Sequence, residues 1–269
     1  MQMTPKERLL CRLEGKPVDK IPNMNITMQF AAQYIGVKYG DFCRDYRVLV
    51  EAQKKAGEDF GIDMMSTLSD PYRETFDFGA KVRYQEDYLP AVTEPLIADI
   101  EDFDKIHLWD PMQSERMLDR IRAVELFKAQ CGDAYPILGW VEGPWAEFTD
   151  LADISEAMMM LFDEPDEVCR AMDVLTQQAI RCALAQVDAG ADFIGMGDAA
   201  ASLISADNYR DYVLPREKKI IEAVHAAGAR VKLHICGNIN HIVADMVQSG
   251  ADIVDIDYMV DMKKAIDAA

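Results

Sequence analysis

Short apolar runs alternate with longer amphipathic segments along the chain, and this alternation predicts its fold. In three places a helical pattern ends in glycine, at Gly190, Gly228 and Gly250, and a tight turn and a β-like run follow. Amphipathic segments of roughly 12 to 30 residues separate these runs, which predicts parallel strands joined by right-handed crossovers. With three similar runs earlier in the chain, the predicted strands cover residues 23–27, 63–68, 136–141, 192–196, 230–236 and 252–257.

Such βα repetition is typical of a doubly wound sheet or of a (β/α)8 barrel. The first predicted strand has no glycine-rich phosphate fingerprint after it, which argues against the dinucleotide-binding form of the doubly wound sheet. We therefore predict an α/β protein with a TIM (β/α)8-type barrel, formed by residues 1–269 as a single domain. Six strands are found where closure needs eight, so we expect the barrel to lack its last one or two βα units and the chain to be a fragment.

Two further segments have a recognisable pattern. Thr4 as N-cap, Pro5 at the first helical position and Glu7 three residues after the cap predict a helix that ends at Gly15. Residues 76–110 alternate polar and apolar positions and contain two prolines, which predicts a β-hairpin and loop excursion after the second strand. We expect this excursion to lie over one end of the barrel.

Composition narrows the classes of function. The chain has 269 residues with 47 Asp and Glu against 28 Lys and Arg, a formal net charge of -19. Without a local basic stripe, that charge argues against a nucleic-acid partner. No apolar run reaches the ~20 residues of a membrane span and no secretory signal opens the chain. The six cysteines form no Cys-x-x-Cys pair, so we expect reduced thiols and a cytoplasmic protein.

The sequence His-Ile-Cys-Gly-Asn at residues 234–238 is the sharpest chemical signal. Alternate side chains of a strand leave the same face, so His234 and Cys236 are expected to project together, opposite Leu233 and Ile235. Barrel active sites lie at the carboxyl ends of the strands, and an imidazole beside a thiolate is a good pair of Zn²⁺ ligands. On the residues alone, simple packing of both side chains stays open, because two ligands do not make a site.

Acidic residues follow other strands at the same expected rim. Glu142 follows the third predicted strand, Asp198 follows the fourth and Asp70 follows the second, while Asp255 and Asp257 lie on the sixth. Each acid alone is more often a helix cap or a turn residue, but their convergence on one rim makes Glu142, Asp198 and Asp70 the candidate catalytic residues. No serine-hydrolase elbow, His-Glu-x-x-His or phosphate loop is present, so acyl transfer and NTP hydrolysis lose support.

Several motifs together resemble a known family, the uroporphyrinogen decarboxylase superfamily. The resemblance is closest to its corrinoid-dependent methyltransferase branch, the methylcobamide:coenzyme M methyltransferases, and it implies a TIM barrel. The motifs that carry it are Lys-Glu-Arg at 6–8, Val-Asp-Lys-Ile-Pro at 18–22, Ser-Asp-Pro at 69–71, Glu-Gly-Pro at 142–144, Gly-Asp-Ala at 197–199, Tyr-Val-Leu-Pro at 212–215 and Leu-His-Ile-Cys-Gly-Asn at 233–238.

The resemblance implies a zinc-dependent methyltransferase. His234 and Cys236 would be zinc ligands, together with a cysteine of the last barrel strand that is expected beyond Ala269. A methyl group would move from a methylated corrinoid, bound to a partner corrinoid protein, to a thiol or pterin acceptor. Glu142 and Asp198 would be pocket residues that orient the acceptor or a ligating imidazole. Apart from the resemblance, a second copy of the chain could cover the exposed sheet edges or the hairpin excursion, which would give a homo-oligomer.

The resemblance leaves two alternatives open. One is a cofactor-free porphyrinogen decarboxylase, in which Asp70 would be the acid that holds pyrrole nitrogens. Those enzymes clamp their polyanionic substrate with arginines after the first strand, and residues 23–30 contain none. The other is a non-catalytic protein that binds a corrinoid or a metal.

Overall fold

Seven strands form two separate sheets in the computed structural model, which describes residues 2–269. Five parallel strands form a curled α/β half-barrel, and two antiparallel strands form a small ribbon. The strands are β1 Met65–Ser66, β2 Lys81–Arg83, β3 Ala91–Glu94, β4 Ile137–Glu142, β5 Phe193–Gly197, β6 Arg230–Ile235 and β7 Ile253–Ile256.

Thirteen α-helices connect or flank these strands within residues 2–269. The helices are α1 Pro5–Leu13, α2 Met28–Ile35, α3 Tyr39–Arg44, α4 Tyr46–Phe60, α5 Arg73–Phe78, α6 Arg116–Cys131, α7 Pro144–Ala152, α8 Ile154–Asp163, α9 Pro165–Asp188, α10 Ala206–Asn208, α11 Leu214–Ala226, α12 Val243–Val247 and α13 Met262–Ala268. Short 3-10 segments cover Ile100–Lys105 and Ala199–Leu203, and a π-helical turn covers Tyr209–Val213. None of these helices is both long and apolar enough to cross a membrane.

The half-barrel has strand order β1-β4-β5-β6-β7, with all neighbouring pairs parallel. Parallel pairing follows from the sequence because a helical crossover returns the chain to the same end of the sheet before each new strand. The predicted α/β barrel class is therefore confirmed, with the strands after residue 130 within a residue or two of their predicted bounds. The capping box of Thr4 and Glu7 is also present at the start of α1.

Two details of the prediction were wrong. Residues 23–27 form no strand: their backbone contact with the segment that leads into β1 is a hydrogen bond from the amide of Asp63 to the carbonyl oxygen of Asn23 at 2.6 Å. Their apolar side chains Met24 and Ile26 instead pack against the inside of the half-barrel. The sheet consequently has five strands rather than six. The helix between β6 and β7 is also shorter than predicted, because α12 has only five residues.

The predicted hairpin region contains the antiparallel pair β2 and β3, so it follows the first observed strand. After β3 the chain contacts helix α7, where the amides of Leu96 and Ile97 donate to the carbonyl oxygen of Leu151 at 2.9 and 3.0 Å. Helix α7 begins directly after β4, so the hairpin lies beside the carboxyl end of the sheet.

Apolar side chains form a core on each face of the curled sheet. On the outer face, alternate strand residues such as Val141, Met196 and Leu233 pack against the helices. On the inner face, Trp140 and Phe193 form a smaller cluster with Leu9 of α1. Helix α1 thus covers apolar surface inside the half-barrel.

Gly195 provides the space that the Trp140 ring occupies on the inner face. A Cβ atom at Gly195 would overlap the six-membered part of that buried ring. We expect Gly195→Ala to lower the free energy of unfolding by about 1–3 kcal/mol, because a close-packed core relaxes only partly around an added methyl group. Urea unfolding measures the change. In a Trp140→Leu background the same substitution should cost much less, and an equal cost there would contradict this explanation.

Candidate active site at the carboxyl end of the half-barrel

The strand register places four residues in one row across the sheet. Glu142 pairs with Gly197, Gly197 pairs with His234, and His234 pairs with Asp255. The row lies at the carboxyl ends of the strands, where catalytic groups of this architecture are found. Gly197 has no side chain in this row, and its lack of a Cβ makes room for its neighbours, since a Cβ there would lie 2.9 Å from the Trp140 ring and 3.1 Å from Oε2 of Glu142.

His234 and Cys236 are neighbours at the end of β6, as the strand alternation predicts. Nδ1 of His234 lies 3.1 Å from Oδ2 of Asp255, and the ring centroid lies 6.4 Å from that of Trp140. Burial by itself lowers the pKa of His234, but contacts with Asp255 and Cys236 outweigh burial and raise the pKa to about 9. The imidazole is thus held between a carboxylate and a thiol.

Asp255 also binds a second cation inside the half-barrel. Nζ of Lys232 lies 2.5 Å from Oδ2 of Asp255, and Lys232 is only 1% exposed. Burial acts to raise the pKa of Asp255, but its contacts with His234 and Lys232 lower it below the ordinary value. Asp255 is therefore an anion that fixes one side of the imidazole ring.

A cavity of about 320 Å³ adjoins Cys236 at this end of the sheet. Glu142 of β4 and Asp150 of α7 supply its acidic groups, and most of the remaining wall is apolar. The other lining residues are Pro71, Ala146, Thr149, Ile154, Ala199, Ala200, Ser202 and Leu203. A larger groove of about 600 Å³ lies between α4 and α6, but neither His nor Cys lines it. The smaller cavity is therefore the better candidate for chemistry.

Glu142 is 7% exposed and accepts a hydrogen bond from Nε1 of Trp140 at 3.0 Å. Burial and the nearby charges of Glu74 and Glu147 raise the pKa of Glu142 well above its ordinary value, despite the opposing charge of Arg120. Glu142 therefore keeps its proton to a higher pH than an exposed glutamate does.

Asp198 follows β5 but lies behind the cavity wall, fully buried. Its Oδ1 accepts the amide of Ala146 at 2.6 Å and so helps to hold the first turn of α7. Its other oxygen and Oε1 of Glu217 have no hydrogen-bond donor among residues 2–269. The hydroxyl of Tyr209 donates to the second oxygen of Glu217 at 2.6 Å. Burial raises the pKa of both carboxyl groups, and the charge of Asp198 raises that of Glu217 further.

This buried carboxyl pair predicts a pH effect on stability. The folded chain retains a proton that the unfolded chain loses above about pH 4, so the free energy of unfolding falls as the pH rises toward neutrality. In Asp198→Asn the amide can still accept from Ala146 and can donate to Glu217. We expect its loss of stability between pH 5 and pH 8 to be smaller than that of the natural chain by about 2 kcal/mol.

Urea unfolding at pH 5 and pH 8 measures this difference, with the exposed neighbour Asp211→Asn as control. A control that changes the pH dependence as much as Asp198→Asn does would show that general surface charge is responsible.

Asp70 also lies away from the cavity, in a buried network with arginines. Its carboxylate accepts from Oγ of Ser69 at 2.6 Å and lies 3.4 Å from Arg116 and 3.8 Å from Arg73. Asp70 is fully buried, while the adjacent Pro71 lines the cavity. Of the three predicted catalytic acids, the structure therefore brings only Glu142 to the cavity that contains Cys236.

The donor set for a metal is partial. No group of three His, Cys, Asp or Glu side chains within residues 2–269 is arranged to hold an ion. His234 and Cys236 nevertheless supply the nitrogen and sulfur donors that zinc prefers. With Nδ1 of His234 facing Asp255, Nε2 is the nitrogen available to an ion, and a carboxylate behind a ligating imidazole is a common arrangement. The two residues fit a zinc ion that takes its other ligands from elsewhere.

Sequence reasoning missed Asp150, which lines the cavity from α7. The available signal was the spacing of Ala146, Thr149 and Asp150, which places them on one face of the helix that follows Glu142. It also missed the pairing of Asp198 with Glu217, because no pattern in the sequence relates a loop after β5 to the first turn of α11.

Comparison with known proteins identifies the family of the chain. The family model described as Uroporphyrinogen decarboxylase (URO-D) matches residues 4–269, and the chain belongs to this family. A methylcobamide:CoM methyltransferase, MtaA from Methanosarcina barkeri, is 28% identical over 267 residues, which cover 95% of this chain and 76% of the relative. A uroporphyrinogen decarboxylase from Chlorobaculum parvum is 31% identical over 178 residues, 64% of this chain and 50% of that protein.

Among solved structures, a methyltransferase from Methanosarcina mazei has a TM-score of 0.83 and 26% identity. The match covers 93% of this chain and 75% of that structure.

Proposed function

We propose that the chain is a methyltransferase that moves a methyl group from a methyl-corrinoid, carried by a separate corrinoid protein, to a thiol or similar acceptor. The observation that carries this proposal is the side-by-side placement of His234 and Cys236 beside a cavity at the carboxyl end of the half-barrel. The relatives named as methylcobamide:CoM methyltransferases support the donor class.

Individual residues of the site have separate roles in binding and in orientation. His234 and Cys236 would hold a zinc ion, and Asp255, which lies 3.1 Å from Nδ1 of His234, would fix the imidazole ring from behind. When bound, the ion lowers the pKa of an acceptor thiol so that a thiolate is present at neutral pH. Glu142 orients the acceptor through a hydrogen bond. Asp198 is a positioning residue. It accepts a hydrogen bond at the start of α7, and α7 forms one wall of the cavity.

Methyl transfer then needs close approach of two reactants. The acceptor sulfur attacks the methyl carbon, the carbon–cobalt bond breaks with its electron pair left on cobalt, and a carbon–sulfur bond forms. The chain contributes by holding the sulfur in place and by excluding water with the apolar wall of the cavity.

A porphyrinogen decarboxylase is the second candidate, favoured by the family and by the relative from Chlorobaculum parvum. Two features weigh against it. Asp70, the acid that such an enzyme would use, is fully buried and held by Ser69 and Arg116. Residues 23–30 contain no arginine to bind the many carboxylates of a porphyrinogen.

The test is a direct comparison of the two reactions. The purified chain is incubated with methylcobalamin and 2-mercaptoethanol, and demethylation is followed by the change in the visible spectrum of the corrinoid. We expect thiol-dependent demethylation and no decarboxylation of uroporphyrinogen. Decarboxylation without any methyl transfer would favour the second candidate and reject the first.

A further inference from the structure

Two acids at the end of β7 lie opposite the two predicted zinc ligands at the end of β6. The strands are parallel, with His234 paired to Asp255. Two residues further along each segment, Cys236 directly follows β6 and Asp257 directly follows β7. The register therefore places one acid beside each ligand.

Asp257 contacts the backbone next to Cys236 rather than a side chain. Its Oδ2 accepts the amide of Gly237 at 2.9 Å, and its Oδ1 accepts the amide of Met259 at 3.1 Å. The Met259 contact is local, whereas the Gly237 contact joins the loop after β7 to the loop after β6. Both oxygens of the carboxylate are thus used by backbone donors.

The contact with Gly237 also fixes the backbone of Cys236. The carbonyl group of Cys236 and the amide of Gly237 belong to one planar peptide unit, so an acceptor that orients this N–H also orients the chain at Cys236. Gly237 has a φ of +87°, and a Cβ there would lie 3.2 Å from Oγ of Ser202. The turn after Cys236 is therefore left-handed and confined, which suits glycine.

Metal affinity depends on how well the ligands are held before the ion binds. Ligand distances in a zinc site vary by only about 0.2 Å, so a thiolate on a loosely held loop must lose conformational freedom when the ion binds. Residues that hold a ligand without touching the ion typically change metal affinity by about 10–100-fold. An acid that anchors the peptide unit beside Cys236 belongs to this kind of residue.

We propose that Asp257 is a positioning residue that fixes Cys236 through the amide of Gly237, while Asp255 fixes His234, so that the end of β7 sets the placement of both zinc ligands. This proposal rests on the zinc site of the proposed function. It assigns a role to an acid that the strand pattern places at the rim and that touches neither the cavity nor the ion.

The first experiment measures the zinc affinity of the purified full chain. Competition with a chromophoric zinc chelator gives the dissociation constant for the natural chain and for Asp257→Ala. We expect Asp257→Ala to bind zinc about 10–100-fold more weakly, and still to take up about one zinc per chain when the metal is in excess. The retained stoichiometry separates a positioning residue from a ligand, because loss of a ligand removes the site.

The second experiment measures hydrogen exchange at the amide of Gly237 in the metal-free, 15N-labelled chain. We expect this amide to exchange at least about tenfold faster in Asp257→Ala, because a hydrogen bond to a charged acceptor is lost. The amide of Val141 in the buried strand β4 should keep its rate. An unchanged rate at Gly237, or an equal acceleration at Val141, would overturn the proposed anchor.

Two nearby variants are controls for the zinc affinity. Asp261→Asn removes a negative charge at the start of α13 and leaves an oxygen that can cap this helix, while Asn240→Ala breaks further contacts between the same two loops. Neither should weaken zinc binding by more than about threefold. An equal loss in Asp261→Asn would assign the effect to charge, and an equal loss in Asn240→Ala would assign it to general loop order. Either result would overturn the role of Asp257.

The outcomes also distinguish this proposal from the proposed function. Unchanged zinc affinity in Asp257→Ala, with faster exchange at Gly237, would reject the positioning role and leave the zinc site in place. A natural chain that binds no zinc would reject the zinc site, and with it both the proposed function and the role of Asp257.

Discussion

Replacing Cys236 by alanine is expected to remove bound zinc from the purified chain and to lower thiol methylation at least about a thousandfold. His234→Ala should have the same two effects. The reason is that a zinc ion held by few protein donors cannot lose a nitrogen or a sulfur ligand without losing most of its binding free energy. Elemental analysis should find about one zinc per natural chain and a background level in each variant.

Cys131→Ala is the matched control, because Cys131 lies at the end of outer helix α6 and its hydrogen bond is to the carbonyl of Phe127. This variant should keep both its zinc and its activity. Full zinc content in the Cys236→Ala protein would contradict the assignment of Cys236, and activity in a zinc-free natural chain would contradict the role of the metal.

Replacing Arg120 by methionine is expected to lower the free energy of unfolding by about 3–5 kcal/mol. Arg120 is fully buried, and its Nη1 lies 3.1 Å from Glu74 and 2.8 Å from the carbonyl oxygen of Trp140. Its charge also opposes the rise in the pKa of Glu142 and of Glu147. Without Arg120, three buried acids would face each other with no cation among them.

Urea unfolding measures the loss, and Arg122→Met on the exposed side of the same helix should change stability by less than about 0.5 kcal/mol. Combining Arg120→Met with Glu74→Leu should recover part of the loss, because the acid that Arg120 contacts directly is then absent. A double variant no more stable than Arg120→Met alone would show that the lost packing of Arg120, and not its charge, accounts for the effect.

Local signals in the sequence predicted the repeating elements well. Strands β4 to β7 were found because glycine ends each preceding helix and a short apolar run follows. The positive φ of Gly190, Gly228 and Gly250 in the structure is the conformation that this pattern requires. The start of α1 was predicted from Thr4, since a capping box involves residues only three apart.

Nonlocal contacts explain what the sequence left undecided. Residues 23–27 have the composition of a strand. Whether they join the sheet depends on an adjacent strand to which their backbone can hydrogen-bond. Met24 and Ile26 bury their side chains inside the half-barrel instead. In the same way, the rim positions of Glu142, Asp198 and Asp70 are visible in the sequence, but their exposure to the cavity is not.

The amino-acid sequence by itself determined the class of fold and the pairing of His234 with Cys236, because helix caps, strand alternation and a two-residue spacing act within a few residues. The tertiary structure alone decided that Asp150 and Glu142 share a cavity with Cys236, and that Asp198 faces Glu217 behind its wall. These arrangements depend on the register and curl of a sheet whose strands come from distant parts of the chain, and such contacts leave no local pattern.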